Sequence, residues 1–269
     1  MPSQLVNKYY RTESLPHIWC PGCGNGIVTR AIVKAIDNIG LSQNDVCIVS
    51  GIGCSSRASG YLDFNTIHTT HGRALAFATG IKFANPKLHV IVITGDGDCA
   101  AIGGNHMIHA ARRNIDLTTI VFNNNIYGMT GGQYSPTTPT GDKGTTAPYG
   151  NIDANFDLCE LAKAAGATYV SRSTVYGANM IIKQVEEGIQ NKGFSFIETL
   201  TTCPTYYGRK NKKGDAIDMM ANLKEITVNK VAYEKLPEEQ RKGKIVIGEL
   251  YKGHRPEYTD KYNQIIESF

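Results

Sequence analysis

Two cysteines separated by two residues, Cys20 and Cys23 in "HIWCPGCGNG", stand in a glycine-rich turn near the start of the chain. Thiols at this spacing serve a redox disulfide, half of a zinc site or half of an iron–sulfur site, and the spacing alone leaves all three open. Further cysteines stand at 47, 54, 99, 159 and 203. A reducing compartment disfavours disulfides, so a clustered subset reads as metal-binding or redox-active and an isolated one as core filling. Cys47 and Cys159 fall inside apolar patterns and Cys99 just after a glycine turn, so these three read as packing.

A second chemical signal is "GDG" at 95–97. Gly95 and Gly97 let backbone N–H groups approach an anion, a following helix offers its positive end, and Asp96 can take a hard divalent cation, which together suit a diphosphate with Mg²⁺. A plain strand-to-helix turn uses the same letters. Asn124 lies one helix and one strand later, so its side chain and that of Asp96 can meet at neighbouring strand ends. With a backbone carbonyl of the turn they form the sparse oxygen set that Mg²⁺ prefers. His71 opens a helix near the same edge and is the better functional candidate among the histidines. His106 and His109, three apart on one helix, suit packing better than a metal face. Arg57, just after Cys54, has either an anionic ligand or an acidic neighbour as its partner.

These residues need elements to hold them. "IVTRAIVKAIDNI" at 27–39 has one-sided helical spacing, and the apolar run "DVCIVS" breaks into "GIGCSS" at 51–56. A helix over 71–86, a strand over 87–94 and a helix near 100–113 follow. After them come a strand over 117–122, a Gly/Thr/Pro-rich loop over 128–150, a helix over 156–166, the strand "ATYVS", a helix near 177–191 and a strand over 194–200. Strands alternating with helices predict an α/β fold with a doubly wound, mainly parallel sheet. Ligands in such sheets gather outside the carboxyl ends of the strands. Cys54, the GDG turn, Asn123-Asn124 and Cys203 each follow an apolar run, so one sheet edge is expected to hold them all. Residues 1–204 are expected to form this domain and 205–269 a C-terminal extension, read as a solvated wrap with one helical candidate, "AIDMMANLKEI".

Composition narrows the partners. With 269 residues, 41% of them apolar, the chain can bury a full core, and a net charge of +4 spread along it argues against nucleic acid as a ligand. The start of the chain reads as no signal peptide and no run approaches a membrane span, so a cytoplasmic protein without membrane contact is expected.

"GDG", 25 intervening residues and "NN" resemble the thiamine diphosphate fold motif. The combination "CPGCG…GIGCS…THGRA…GDG…NNNIYGMTGGQ…SPTTP" resembles the β subunits of the 2-oxoacid:ferredoxin oxidoreductases over residues 17–204. The resemblance implies the diphosphate-binding half of a thiamine diphosphate fold. It implies Mg²⁺ held by Asp96, Asn124 and the carbonyl of Ile126, and a cofactor lined by Ile52, Gly53, Cys54, Ser55, His71, Gly95, Gly97, Gly128 and Met129. It also implies one [4Fe–4S] cluster on Cys20, Cys23, Cys54 and Cys203. His71 is the candidate catalytic residue, and Arg57 a candidate for a substrate carboxylate or a coenzyme A phosphate.

Thiamine diphosphate supplies a carbon nucleophile for a 2-oxoacid, and a nearby cluster lets the released electrons leave singly. The implied reaction is oxidative decarboxylation of a 2-oxoacid with coenzyme A, giving an acyl-CoA, CO₂ and reduced ferredoxin. The "GMTGGQYSPTTP" form looks most like the 2-oxoglutarate enzymes, although Gly131-Gly132 stand where some members carry a lysine linked to substrate preference. Branched-chain 2-oxoacids or pyruvate are the alternative substrates. A cluster-free thiamine lyase and a zinc-stabilised, non-catalytic scaffold are the competing classes. A single sheet of this size lacks the half that binds the aminopyrimidine, so an α subunit is expected to supply it. Ferredoxin and a ferredoxin-like subunit are the further partners.

Overall fold

The computed structural model describes residues 4–269, so the first three residues of the expected 1–204 domain lie outside the described residues. The strands are β1 (Val46–Ser50), β2 (Asn65–His68), β3 (His89–Gly95), β4 (Thr118–Asn123), β5 (Ile126–Tyr127), β6 (Gln133–Tyr134), β7 (Tyr169–Thr174), β8 (Ser195–Leu200), β9 (Thr227–Asn229) and β10 (Ile245–Lys252). Eight of them form one sheet in the order β2-β1-β3-β4-β8-β7-β10-β9, and β5 with β6 makes a separate antiparallel hairpin. The strands from β2 through β7 in that order run parallel.

Strands β1, β4, β7 and β8 are buried along their whole length; β1 and β4 accordingly read as near-continuous apolar or β-branched runs, while β7 and β8 bury polar residues as well, Arg172 and Glu198 among them. Val46, Ile48, Ile91, Ile93 and Ile120 share a core with helices Asn25–Asn38 and Ala178–Gln190. Their sequence neighbours Cys47, Val49, Val90, Val92 and Val121 point the other way, toward helices Ala74–Ala84, Gly104–Arg113 and Leu158–Ala165. The sheet is therefore covered on both faces, as the α/β reading expects. Cys47, Cys99 and Cys159 are packed in the second of these cores.

Local chemistry sets the helix ends. Asp157 caps Leu158–Ala165 by accepting the Glu160 N–H at 3.0 Å, and Gly166 at φ 103° closes it. The helix expected over 71–86 begins only at Ala74, which leaves His71 in the preceding turn. The helix expected near 100–113 opens with a π turn at Asp98–Ile102 before Gly104–Arg113. The edge strand β2 went unread because its residues are exposed or half-buried and carry no apolar pattern.

The tail differs most from expectation. The helical candidate matches helix Ala216–Ile226, but the rest is no solvated wrap: β10 pairs antiparallel with β7 and β9 pairs with β10, so the tail extends the sheet. Asn114, in the left-handed region at φ 53°, donates from Nδ2 to the carbonyl of Arg255 at 3.0 Å and anchors the final segment.

A buried ion pair joins the last strands. Arg172 Nε lies 2.6 Å from Glu198 Oε2, and Asn123 Nδ2 donates to Glu198 Oε1 at 2.7 Å. The same guanidinium meets Asp157 at 2.5 Å, so loss of Glu198 leaves Arg172 with that half-exposed carboxylate and not wholly unpaired. Glu198→Ala is expected to lower the unfolding free energy by about 3 kcal/mol, the low end for a broken buried pair, read as a lower urea midpoint, with Glu198→Gln losing less because it keeps the hydrogen bond to one neighbour.

Candidate functional site

Strands β1, β3, β4 and β8 are consecutive in the sheet and parallel, so their carboxyl ends open on one edge. A cavity of about 510 Å³ opens there. The turn after β1 contributes Ile52, Gly53, Cys54 and Ser55 to its wall, the turn after β3 contributes Gly95, Asp96 and Gly97, and the segment after β4 contributes Asn124, Ile126, Gly128 and Met129. His71 joins them from the turn before helix Ala74–Ala84. Arg57 is not among the lining residues; it is exposed on the short helical turn Ser55–Arg57.

A second cavity, of about 220 Å³, is lined by Cys20, Cys23, Cys54 and Cys203, and it shares Cys54, Asn124, Gly128 and Met129 with the first. The N-terminal turn is clamped over it. Trp19 donates from Nε1 to the carbonyl of Cys54 at 2.6 Å, Cys23 N–H donates to the carbonyl of Cys20 at 3.0 Å, and Thr202 Oγ1 donates to the carbonyl of Gly22 at 2.8 Å. Burial, with repulsion from the neighbouring thiols, pushes Cys23 up to about 12 and Cys54 to about 11. Burial raises Cys203 as well. A bound metal centre reverses that preference, since its positive charge favours thiolates. All four thiols line this one cavity, and among the described residues no three His, Cys, Asp or Glu side chains are placed to hold a single metal ion. Four cysteines around one space are the ligand number of an iron–sulfur cluster.

Asp96 is buried and oriented. Ser135 Oγ and Thr137 Oγ1 both donate to Asp96 Oδ2, at 2.5 and 2.6 Å, which leaves Oδ1 free of these hydroxyls for a cation. The Asn-rich turn divides its labour: Asn123 turns inward to Glu198, while Asn124 lines the cavity and its Oδ1 accepts the Ile126 N–H at 3.2 Å. That leaves one lone pair on Asn124 Oδ1 for a metal. Tyr127 lies against Gly97, where an added Cβ would come within 2.3 Å of the ring, and its hydroxyl donates to the carbonyl of Gly97 at 3.1 Å. Only glycine fits there.

Sequence reasoning missed four contributors. Ser135 and Thr137, which orient Asp96, lie in "SPTTP", whose composition marks a turn but gives no direction. Tyr127 reads as an ordinary strand residue. Asp98, the second aspartate of "GDGD", also lines the cavity and accepts the Gly72 N–H at 2.7 Å and the Thr94 hydroxyl at 2.7 Å. His106 and His109 serve no common ligand: His106 Nε2 lies 2.6 Å from Arg73 and His109 Nδ1 3.4 Å from Arg112.

Residues 51–199 match the family described as "Thiamine pyrophosphate enzyme, C-terminal TPP binding domain". The sequence is 55% identical to the 2-oxoglutarate synthase subunit KorB of Methanocaldococcus jannaschii, over 97% of this chain and 96% of the relative. It is 53% identical to the protein of the same name from Methanothermobacter marburgensis, over 97% of this chain and 91% of the relative. A solved 2-oxoglutarate:ferredoxin oxidoreductase from Magnetococcus marinus, with 2-oxoglutarate, coenzyme A and succinyl-CoA bound, contains a chain that superposes with a TM-score of 0.87 at 31% identity. That match covers 100% of this chain and 91% of the other.

Burial pushes the Asp96 carboxyl up to about 6 against the downward pull of Ser135, Thr137 and backbone N–H groups. A cation at Asp96 must displace that proton below this pH. Binding of Mn²⁺ alone, followed by electron paramagnetic resonance, is therefore expected to be level above about pH 6 and to weaken toward about tenfold per unit below it. Ser135→Ala is expected to move the break to higher pH, because one hydrogen bond to the carboxylate is lost.

Proposed function

The chain belongs to the thiamine diphosphate-binding β subunits of the 2-oxoacid:ferredoxin oxidoreductases, and on that premise we propose that it serves the coenzyme A-dependent oxidative decarboxylation of 2-oxoglutarate to succinyl-CoA and CO₂, delivering two electrons to ferredoxin. The relatives named 2-oxoglutarate synthase and the neighbour holding 2-oxoglutarate and succinyl-CoA support this substrate. The observation that carries the reading is the wall shared by the two cavities: Cys54, Asn124, Gly128 and Met129 line both. A redox centre on the thiols would stand directly beside the cofactor.

The cofactor cavity has an electrostatic requirement. Its lining residues include two buried carboxylates, Asp96 and Asp98, and no Lys or Arg. A diphosphate cannot enter such a wall unaccompanied, because like charges in a low dielectric repel strongly. A divalent cation resolves this, and Asp96, Asn124 and the carbonyl of Ile126 are the oxygens we assign to Mg²⁺. Cys20, Cys23, Cys54 and Cys203 are assigned to a [4Fe–4S] cluster. Thiamine diphosphate, when bound, would supply a carbon nucleophile for the 2-oxo group and a sink for the electrons of decarboxylation. Asp96 and Asn124 would hold the cation at the diphosphate end, Tyr127 backs the GDG turn, and His71 is the candidate to move a proton in the cavity. Arg57, exposed beyond the wall, is the candidate for an anionic group of coenzyme A or the 2-oxoacid.

The cavity opens past Ile52, Ile102 and Met129, apolar side chains between 39 and 49% exposed. Apolar residues around a polar cavity suit a covering partner, and we assign that place to an α subunit bringing the aminopyrimidine half of the site. A ferredoxin-like subunit and ferredoxin would then receive the electrons. No helix of the described chain is long and apolar enough to cross a membrane, and a cytoplasmic location accords with free cysteines at every position.

The test is anaerobic purification with co-purifying subunits, followed by iron, sulfide, zinc and thiamine analysis and a visible spectrum. About four irons and four sulfides for this chain, with bleaching on addition of 2-oxoglutarate and coenzyme A, are the expected result. Zinc without iron would replace the electron-transfer reading with a structural one. Bleaching by pyruvate or a branched-chain 2-oxoacid alone would change the substrate and keep the mechanism.

A further inference from the structure

Asp98 has no part in the assignments above, yet it touches more of the cavity wall than any other carboxylate described. It is buried, and its Oδ1 accepts the N–H of Gly72 at 2.7 Å and that of Ile52 at 3.3 Å, while Oδ2 accepts the Thr94 hydroxyl at 2.7 Å. An added Cβ at Gly51 would stand 1.9 Å from Asp98 Oδ2, so the β1 turn lies directly on the carboxylate. Its remaining neighbour is His71, whose Nδ1 lies 2.7 Å from Oδ1. That nitrogen is sealed from solvent and has no aligned hydrogen bond, so the approach to Asp98 is a close, oblique contact. The side chain as a whole keeps 31% of its surface exposed and lines the cofactor cavity. With Nδ1 sealed, the open edge of the ring is the one that carries Nε2.

We propose that Asp98 is a positioning residue, whose carboxylate, 2.7 Å from His71 Nδ1, keeps the ring proton on that side and leaves Nε2 as the proton acceptor for the cofactor cavity. The proposal rests on the thiamine diphosphate reading of that cavity. The physical reason is the carboxylate's charge, which fixes the tautomer and stabilises the ring when Nε2 takes up a proton. A neutral imidazole carries one proton, and a carboxylate, which can only accept, draws it to the nearer nitrogen and leaves the farther one as the base. Two backbone N–H groups and a hydroxyl hold the carboxylate still, so the ring is aimed by a fixed charge and not by its own rotamer preference. The same hydrogen bonds tie the β1 turn, the His71 turn and the end of β3 together, so the acceptor has a set place relative to Cys54 and Asp96.

The charge and the scaffold can be separated. In Asp98→Asn the amide oxygen still accepts from Gly72 and Ile52, and the Thr94 hydroxyl reverses to accept from the amide nitrogen, so the contacts survive and the charge is lost. Thr94→Val does the reverse, removing one hydrogen bond and keeping the charge. Both variants are made in the chain purified anaerobically with its partner subunits. Carbethoxylation of His71 by diethyl pyrocarbonate is followed by peptide mass spectrometry, with and without Mg²⁺ and thiamine diphosphate, beside kcat and KM for 2-oxoglutarate. The wild-type His71 is expected to react and to be protected by thiamine diphosphate. Asp98→Asn is expected to retain thiamine and iron, to slow the modification several-fold and to lower kcat by about tenfold or more with KM little changed, whereas Thr94→Val, which keeps the charge beside His71, loses distinctly less in both. Equal loss in the two variants would make Asp98 a structural tie only, and wild-type behaviour of Asp98→Asn would remove the dyad; either overturns the proposal. Failure of thiamine diphosphate to protect His71 in the wild-type protein would instead remove the cofactor reading itself.

Discussion

Two carboxylates stand two residues apart at the end of β3, both buried, in a cavity wall without Lys or Arg. Much of the site's construction answers that charge. Each carboxylate is held by hydrogen bonds from segments far away in the chain: Asp96 by Ser135 and Thr137, Asp98 by Ile52, Gly72 and Thr94. Turns that would otherwise be free at the sheet edge are thereby drawn onto β3. The same concentration of carboxylates makes the cavity receptive to a cation before it can accept an anion, an ordering that follows from Coulomb repulsion between buried like charges.

Gly128 belongs to the walls of both cavities. An added Cβ there would stand in van der Waals contact with Cys54 Sγ at 3.4 Å and Cys203 Sγ at 3.7 Å, so this stretch of backbone runs directly past both thiols. Cys54 itself belongs to both walls, held through its carbonyl by Trp19. The N-terminal turn, the β1 turn and the strand β8 exit therefore act as one unit, and a shift in any of them moves both centres.

The rest of the fold holds this edge rigid. Parallel strands buried on both faces leave no room for register slips, because each residue is committed to one of two cores. The tail contributes at the opposite side of the sheet, where β10 covers the edge of β7 and so protects a strand that would otherwise present unpaired backbone. Arg172 links the two regions, pairing with Glu198 while its NH1 donates to the carbonyl of Val246 in β10 at 3.4 Å. Through Asn123 the network reaches Thr137 and hence Asp96.

The sequence by itself determined the alternation of strands and helices, the edge where the chemistry gathers, and the identity of Asp96 and Asn124, while the set of four cysteines that ring the second cavity came from the family resemblance. Those features are local: periodicity marks each element, glycines mark each turn, and the residues that matter sit in the turns. The strand character of the tail was legible in principle in "KIVIGELYK", but its half-exposed alternation is easily lost among charged neighbours. Only the tertiary structure decided that Asn123 faces Glu198 while Asn124 faces the cavity, that Arg57 stands outside the wall, and that Ser135, Thr137 and Asp98 hold the site in place. Those outcomes depend on contacts between residues distant in the chain, such as Asp98 with Gly72 and Ile52. A pattern that reports only near neighbours carries no information about which distant backbone group a buried carboxylate will meet.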